Sequence, residues 1–319
     1  MKILVTGGCG FIGSNFIRQI LKKYPAYKIV NLDKLTYCGN TDNLRDVEAD
    51  KRYTFIKGDI CDKKIVDKAI TGCDVVINFA AESHVDRSIE DASAFIRTNI
   101  QGVYVLLEAA KKNKIKRFIQ ISTDETYGSI TKGSFKEDSP IRPNSPYSAA
   151  KAGGDHLAMA YYKTFKLPVI VTRSSNNFGP YQYPEKVIPL FITNLIENKK
   201  VPLYGDGMNV RDWLYVADNC SAIDLVLHKG KIGEVYNIGG SFEIPNIELT
   251  KIILKNLGKT DKMIHYVSDR LGHDRRYSLD SAKVSKLGWK PSKSFDTAIK
   301  ETINWYKANT TWWQKLKNV

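Results

Sequence analysis

The stretch KILVTGGCGFIG, Lys2 to Gly13, decides how this chain is read. Its first half is an apolar run without alternation, the pattern of a strand covered on both faces. The glycines that follow satisfy G-x-x-G-x-x-G at Gly7, Gly10 and Gly13, and G-x-G-x-x-G at Gly8, Gly10 and Gly13. Glycine lets backbone approach a pyrophosphate at the start of a helix, where free amides and the helix dipole favour negative charge. Such a motif is weak evidence by itself, so its surroundings matter. Here an amphipathic stretch, FIRQILKKY, comes after it, and the next apolar run, KIVNLD, closes on Asp33, twenty residues beyond Gly13. That is the spacing of a dinucleotide fold, in which the acid accepts the ribose hydroxyls and repels a 2′-phosphate. The expected cofactor is therefore NAD rather than NADP, with Lys34 tempering the preference.

The alternation continues through TFIKGDI, VDKAI, DVVINFA, GVYVLLEAAKK, RFIQIST and LPVIVTRSSNNFG. Val- and Ile-rich runs separated by helical ones predict an α/β fold, a Rossmann-type doubly wound parallel sheet. After Gly179 the pattern loosens into PYQYPEKVIP and VPLYGDG, and it ends in a helical stretch carrying Trp312 and Trp313, which predicts a smaller α/β unit. RDWLYVADNCSAIDLVLH, from Arg211, reads as a strand and helix returning to the first unit. The expected division is residues 1–179 with about 209–242 for the cofactor, and about 180–208 with 243–319 for a substrate.

Composition excludes several classes. The 319 residues are 43% hydrophobic and 26% charged, ordinary globular usage. No stretch approaches the roughly 18 apolar residues of a membrane span, so a soluble, cytoplasmic protein is expected. Five scattered cysteines without a CxxC pair argue against a disulfide framework and a metal site. The net charge of +14 permits nucleic-acid binding. However, the densest basic cluster, KKNKIKR, follows VYVLLEAA and reads as the cationic C-terminus of a helix, so no nucleic-acid partner is expected.

Chemistry is carried by two further stretches. SPYSAAKAGGD places Tyr147 and Lys151 four residues apart on one helical face, where an ammonium is expected to lower the phenol's pKa and make it a base near neutrality. QISTDETYG ends an apolar strand in two acids, Asp124 and Glu125. Neighbouring carboxylates cannot ionise independently, so one retains a proton near neutral pH, which suits an acid and base acting together. Successive strand residues face opposite ways; both acids can meet one substrate only if the strand ends before them.

STDETYG, together with FAAESHVDRSI, SNNFGPYQYPEKVIPLF, LYGDGMNVRDWLYV and DRLGHDRRY, resembles the 4,6-dehydratase branch of the extended short-chain dehydrogenase/reductases, which act on nucleotide sugars. The resemblance spans essentially the whole chain. It implies oxidation of a nucleoside diphosphate sugar at C4, loss of water across C5 and C6, and reduction at C6, with dTDP-glucose as substrate; the base preference cannot be read from the residues. It gives Tyr147 the C4 hydroxyl proton, with Thr123 and Lys151 assisting, makes Glu125 the base at C5, and makes Asp124 the acid at the C6 hydroxyl. It also implies that NAD is lined by Gly7, Gly10, Phe11, Ile12, Gly13, Asp33, Lys34, Leu35, Thr36, Asp59, Ile60, Ala80, Ala81, Ser83, Thr98, Tyr147, Lys151 and Asn177. The sugar nucleotide is expected to meet His84, Thr123, Asn176, Lys186, Val187, Pro202, Leu203, Tyr204, Arg211, Asn246, Asp269, Arg270 and His273, the arginines binding diphosphate. A homodimer through two long helices is implied as well. Two positions depart from the pattern: Thr126 where Val is usual and Leu271 where Pro is. Epimerases and decarboxylases of the family need no acid at C6, and a non-catalytic NAD-binding regulator needs neither Tyr147 nor Lys151.

Overall fold

The computed structural model describes residues 1–317. The first half runs β1 (Lys2–Thr6), α1 (Phe11–Lys23), β2 (Lys28–Asp33), β3 (Tyr53–Lys57), α2 (Lys63–Ile70), β4 (Val75–Asn78), α3 (Val85–Glu90), α4 (Ser93–Ile96), α5 (Val103–Lys112), β5 (Arg117–Thr123), α6 (Pro146–Phe165) and β6 (Val169–Ser174). The remainder is β7 (Asn176–Phe178), α7 (Val187–Ile196), β8 (Val201–Tyr204), β9 (Val210–Tyr215), α8 (Val216–Lys229), β10 (Val235–Ile238), β11 (Glu243–Pro245), α9 (Asn246–Asn256), β12 (Ile264–Val267), α10 (Ala282–Lys286), α11 (Phe295–Ala308) and α12 (Thr310–Lys317).

Seven strands form one parallel sheet in the order β10-β6-β5-β4-β1-β2-β3. The alternation of side chains along β1 sorts its residues between two cores. Ile3 and Val5 join Phe16 and Ile17 of α1 and Ile223 and Val226 of α8 on one face. Leu4 joins Val76, Phe118 and the apolar sides of α2, α5 and α6 on the other. The strand order reverses beside β1, so the crevice beyond the carboxyl ends of β1 and β4 is where such a sheet binds ligands.

A third core gathers Phe178, Ile188, Trp213, Leu249, Ile299 and Trp313 from the later elements. Three of the sequence expectations need correction here. The run 167–179 is two strands rather than one: β6 stays in the large sheet, while β7 crosses into a three-stranded sheet ordered β11-β9-β7. Likewise β9 stays hydrogen-bonded in that small sheet, although its Leu214 reaches the first core together with the helix α8 that follows. The stretch around α10 also leaves the second unit, because Val284 and Trp289 bury into the first core. Among the described residues no helix is long and apolar enough to cross a membrane.

Candidate active site

The glycine turn closes tightly over the end of β1. Gly7 has φ +69, and a Cβ there would meet the Ala80 amide nitrogen at 2.5 Å; one on Gly13 would lie 2.5 Å from the Gly7 carbonyl oxygen. No side chain caps α1, which starts after Gly10, so its first amides face the crevice unsatisfied. Asp33 ends β2 and accepts from the amides of Cys9 (2.8 Å) and Leu35 (2.8 Å). These groups border a cavity of about 240 Å³, and Asp59, beside Lys34 at 3.0 Å, stands at its rim. Backbone amides at a helix start, with a carboxylate across from them, match the phosphate and ribose ends of a dinucleotide.

The strand β5 ends at Thr123, and Asp124–Tyr127 form a single 3₁₀ turn. Thr123 Oγ1 accepts from the Glu125 amide (3.3 Å), and Thr126 Oγ1 donates to the Thr123 carbonyl (2.9 Å). The departure from Val at 126 thus ties the turn down. Opposite, α6 begins with a reciprocal Ser145/Ser148 cap and Pro146 at its first turn. The four-residue spacing then aligns Tyr147, Lys151 and Asp155 on one face. Lys151 Nζ donates to the Ile121 carbonyl at 2.6 Å. Asp155, 1% exposed, accepts from Ser122 Oγ (2.9 Å) and Arg173 Nε (3.0 Å). Arg173 also donates to the Tyr127 hydroxyl (2.8 Å), which donates to Asn237 (2.9 Å).

The two acids differ in their surroundings. Asp124 is 2% exposed; burial, then Glu125, then Asp212 push its carboxyl well above the usual range. One of its oxygens, Oδ2, has no protein partner. Burial also raises Glu125, but Arg270, Arg211 and Lys186 pull against that. Both carboxyls are thus raised by burial, Asp124 with an acid neighbour and Glu125 with three cations opposing the rise. The phenol corrects an expectation: burial and the charges of Glu125 and Asp124 push Tyr147 up from its ordinary value. Lys151 is not among the groups that act on the phenol; its Nζ turns to the Ile121 carbonyl, and burial lowers its own pKa to about 8, opposed by Asp155.

A second cavity of about 210 Å³ adjoins the first. Glu125 faces it, as do His84, Asn176, Lys186, Val187, Pro202, Leu203, Tyr204, Arg211, Asn246, Arg270 and His273. Arg211 does not pair with its neighbour Asp212, whose carboxylate accepts from the Gly240 and Phe242 amides (both 2.8 Å). Instead its guanidinium lies 4.3 Å from the centre of the Tyr277 ring and donates to the Asp274 carbonyl (2.9 Å). Lys186 donates to the Ser83 carbonyl (2.9 Å). Buried polar atoms without hydrogen-bond partners converge here, Asn176 Oδ1, Asn246 Oδ1 and Arg270 Nε, while Asp86 Oδ1 lies 3.6 Å from the Arg270 guanidinium. Cationic walls and unsatisfied amides are the complement of a sugar diphosphate.

All but two of the residues expected around the dinucleotide border the first cavity. Leu35 does not; it only donates its amide to Asp33. Asn177 is on the other side, in the second cavity with Asn176, its side chain bonded to Asn219 of α8 (2.8 Å). Asp269 also falls outside the second cavity and accepts from His273, and Thr123 stands at the turn after β5 rather than in that cavity. Leu271 is 76% exposed and faces solvent rather than ligand. The sequence reading missed Asp155, although its spacing from Lys151 repeats that of Lys151 from Tyr147. It also missed Gln182 and Glu185, which with Lys186 line both cavities.

Fold and site together are those of the extended short-chain dehydrogenase/reductases that modify nucleotide sugars. A family model described as GDP-mannose 4,6 dehydratase matches residues 4–302, and the chain belongs to that family. It is 52% identical to a dTDP-glucose 4,6-dehydratase of Streptomyces niveus, over 100% of this chain and 96% of that one. The structure of DesIV, a dTDP-glucose 4,6-dehydratase of Streptomyces venezuelae solved with NAD bound, superposes with TM-score 0.98 at 50% identity, over 99% of this chain and 100% of that one. A UDP-glucuronic acid 4-epimerase of Bacillus cereus, also solved with NAD, matches with TM-score 0.92 at 32% identity, over 97% and 99% of the two chains.

Proposed function

We propose that this protein is an NAD-dependent hydro-lyase that converts dTDP-glucose to dTDP-4-keto-6-deoxyglucose and water, for deoxysugar biosynthesis of the rhamnose type. The observation that carries this reading is the carboxyl pair on the turn after β5, Asp124 buried with Oδ2 unpartnered and Glu125 facing the second cavity with Arg211, Arg270 and Lys186. An epimerase has no use for that pair. In this reading the large-sheet unit, residues 1–175 with α8, β10 and the α10 stretch, holds NAD, and the small-sheet segments, β7 and β9 among them, hold the sugar nucleotide.

The residues that would hold NAD are the glycine turn, Asp33, Lys34, Thr36, Asp59, Ala80, Ser83, Thr98 and Lys151, all bordering the first cavity. Bound there, NAD supplies a cationic nicotinamide that takes hydride from C4 and later returns it to C6. Tyr147 takes the C4 hydroxyl proton, with Thr123 beside its phenol. Burial and the two acids hold this phenol protonated, and the positive charge of bound NAD would offset them. The resulting ketone acidifies C5. Glu125, kept ionisable by Arg211, Arg270 and Lys186, removes the C5 proton. Asp124 gives its proton to the C6 hydroxyl, which leaves as water, and Glu125 returns the proton to C5 as C6 is reduced. Arg211 and Arg270 hold the diphosphate through paired donors.

Incubation with dTDP-glucose tests the reading: the product is to have lost one water and to show no lasting reduced cofactor, whereas an epimerised sugar would reject it. We further propose a cytoplasmic homodimer. The free cysteines suit a reducing compartment, and Ile96 (54% exposed) and Tyr104 (48%) give the α4–α5 face an apolar character.

A further inference from the structure

None of the residues of α12 borders either cavity. Even so, a chain of contacts runs from this helix to the back of the glycine turn. The Cys9 peptide is gripped on both sides: its amide donates to Asp33 (2.8 Å), and its carbonyl accepts from the Asn40 amide (3.1 Å) and from Asn43 Nδ2 (2.8 Å). Asn43 is 1% exposed, and its Oδ1 accepts from the indole Nε1 of Trp312 at 2.9 Å. Asn43 thus uses both ends of its amide, one on the turn and one on the C-terminal helix.

A second line runs parallel to the first. Arg18 of α1 donates to the Asn43 carbonyl (2.7 Å), and its guanidinium lies 4.5 Å from the centre of the Tyr181 ring. That ring packs on Trp305 (4.7 Å between centroids) and Trp312 (5.9 Å). Tyr181 holds φ +68, an unfavourable angle for a side chain of its size. It leads directly into Gln182, Glu185 and Lys186, the wall shared by both cavities, while Asn15 fastens the Pro180 carbonyl (3.0 Å). The aromatic cluster under α12 therefore braces the turn and the shared wall together.

We propose that Trp312 and Asn43 are positioning residues for cofactor retention: the indole orients the Asn43 amide, which holds the Cys9 carbonyl so that the amides of the glycine turn stay aimed into the cleft. Without the indole N–H, Asn43 Oδ1 is buried and unpaired. The amide satisfies it only by turning, which withdraws the donor from Cys9. The turn then loses the conformation in which phosphate is bound without reorganisation. The proposal rests on the reading that the first cavity holds NAD.

The test loads the full-length protein with radiolabelled NAD and measures its release into excess unlabelled NAD, alongside the unfolding temperature without NAD. Trp312→Phe keeps an aromatic ring, though a smaller one, and removes the donor, and is expected to release NAD about fivefold faster, the scale of one net hydrogen bond. Asn43→Asp is expected to do the same, and the double variant to be no faster than either single one, since both break one bridge. Trp313→Phe is the control, because its indole donates to the Tyr306 carbonyl (2.9 Å) inside the C-terminal helices. It is expected to lower the unfolding temperature and leave release unchanged. Wild-type release from Trp312→Phe, or equal acceleration by Trp313→Phe, would overturn the proposal. A wild-type protein that retains no NAD would overturn the cofactor reading and this proposal with it.

Discussion

Replacing Asp124 by Asn separates what this carboxyl does for stability from what it does for chemistry. The side chain is 2% exposed, accepts from the Thr123 hydroxyl at 3.2 Å, and leaves its Oδ2 without a partner. A carboxyl whose folded pKa is raised contributes fully below its unfolded pKa and loses that contribution as pH rises through the folded value. At pH 8 the wild-type protein therefore carries either a buried charge or the cost of holding a proton. The isosteric amide removes both. Keeping that proton costs about 1.4 kcal/mol for every pH unit over which the folded carboxyl stays protonated and the unfolded one does not, so Asp124→Asn is expected to be more stable than the wild type at pH 8 by at least about that much. The gain should shrink as pH falls toward the unfolded value of 3.8 and vanish below about pH 3, where wild-type Asp124 is protonated in both states. Urea titrations at the two pH values measure it. In the same variant, loss of the general acid is expected to slow turnover by about 10²–10⁴ while leaving the first oxidation largely intact, so reduced nicotinamide accumulates in single turnovers. A variant less stable at pH 8, or one that slows oxidation and elimination equally, would refute the reasoning.

Three other perturbations follow from the geometry. Gly7→Ala places a Cβ 2.5 Å from the Ala80 amide at φ +69, and is expected to abolish NAD retention, as read by cofactor content after purification. Arg211→Gln removes a buried cation facing the second cavity, and is expected to raise KM for the sugar nucleotide about 10–100-fold with a smaller effect on kcat, measured by initial rates. Lys151 falls from its ordinary 10.5 to about 8, so between those values the unfolded chain binds a proton that the folded one lacks. Stability of the NAD-free protein should then gain a component that rises with pH across that window, and Lys151→Met should remove it, as thermal unfolding between pH 8 and 10 would show.

The parts of the site legible in the sequence are those built from neighbours along the chain. The strand, glycine turn and helix around Gly7, and Asp33 one strand further on, are a local pattern with a local cause. The same holds for Tyr147 and Lys151, one helical turn apart, and for two acids following a strand that has run out. Contacts between distant segments left no such trace. Whether residues 176–178 extend β6 or pair with β9 depends on which edge lies near, and both answers fit the same apolar run. That switch at Ser175 carries Asn177 into the sugar cavity with Asn176. The direction of the Tyr147 shift was misread because spacing shows that an ammonium is close but not where it points. Lys151 spends its donor on the Ile121 carbonyl, and burial and two carboxylates prevail. The bond between Trp312 and Asn43 closes over 269 residues, a distance that no period or motif spans.

The most direct measurement follows one hydrogen. When the protein, with NAD, converts dTDP-glucose carrying deuterium at C4 in ordinary water, the label is expected at C6 of the 4-keto-6-deoxy product, because one bound cofactor both takes and returns it within a single cavity. Label lost to water, or retained at C4 of an epimerised sugar, would contradict the account.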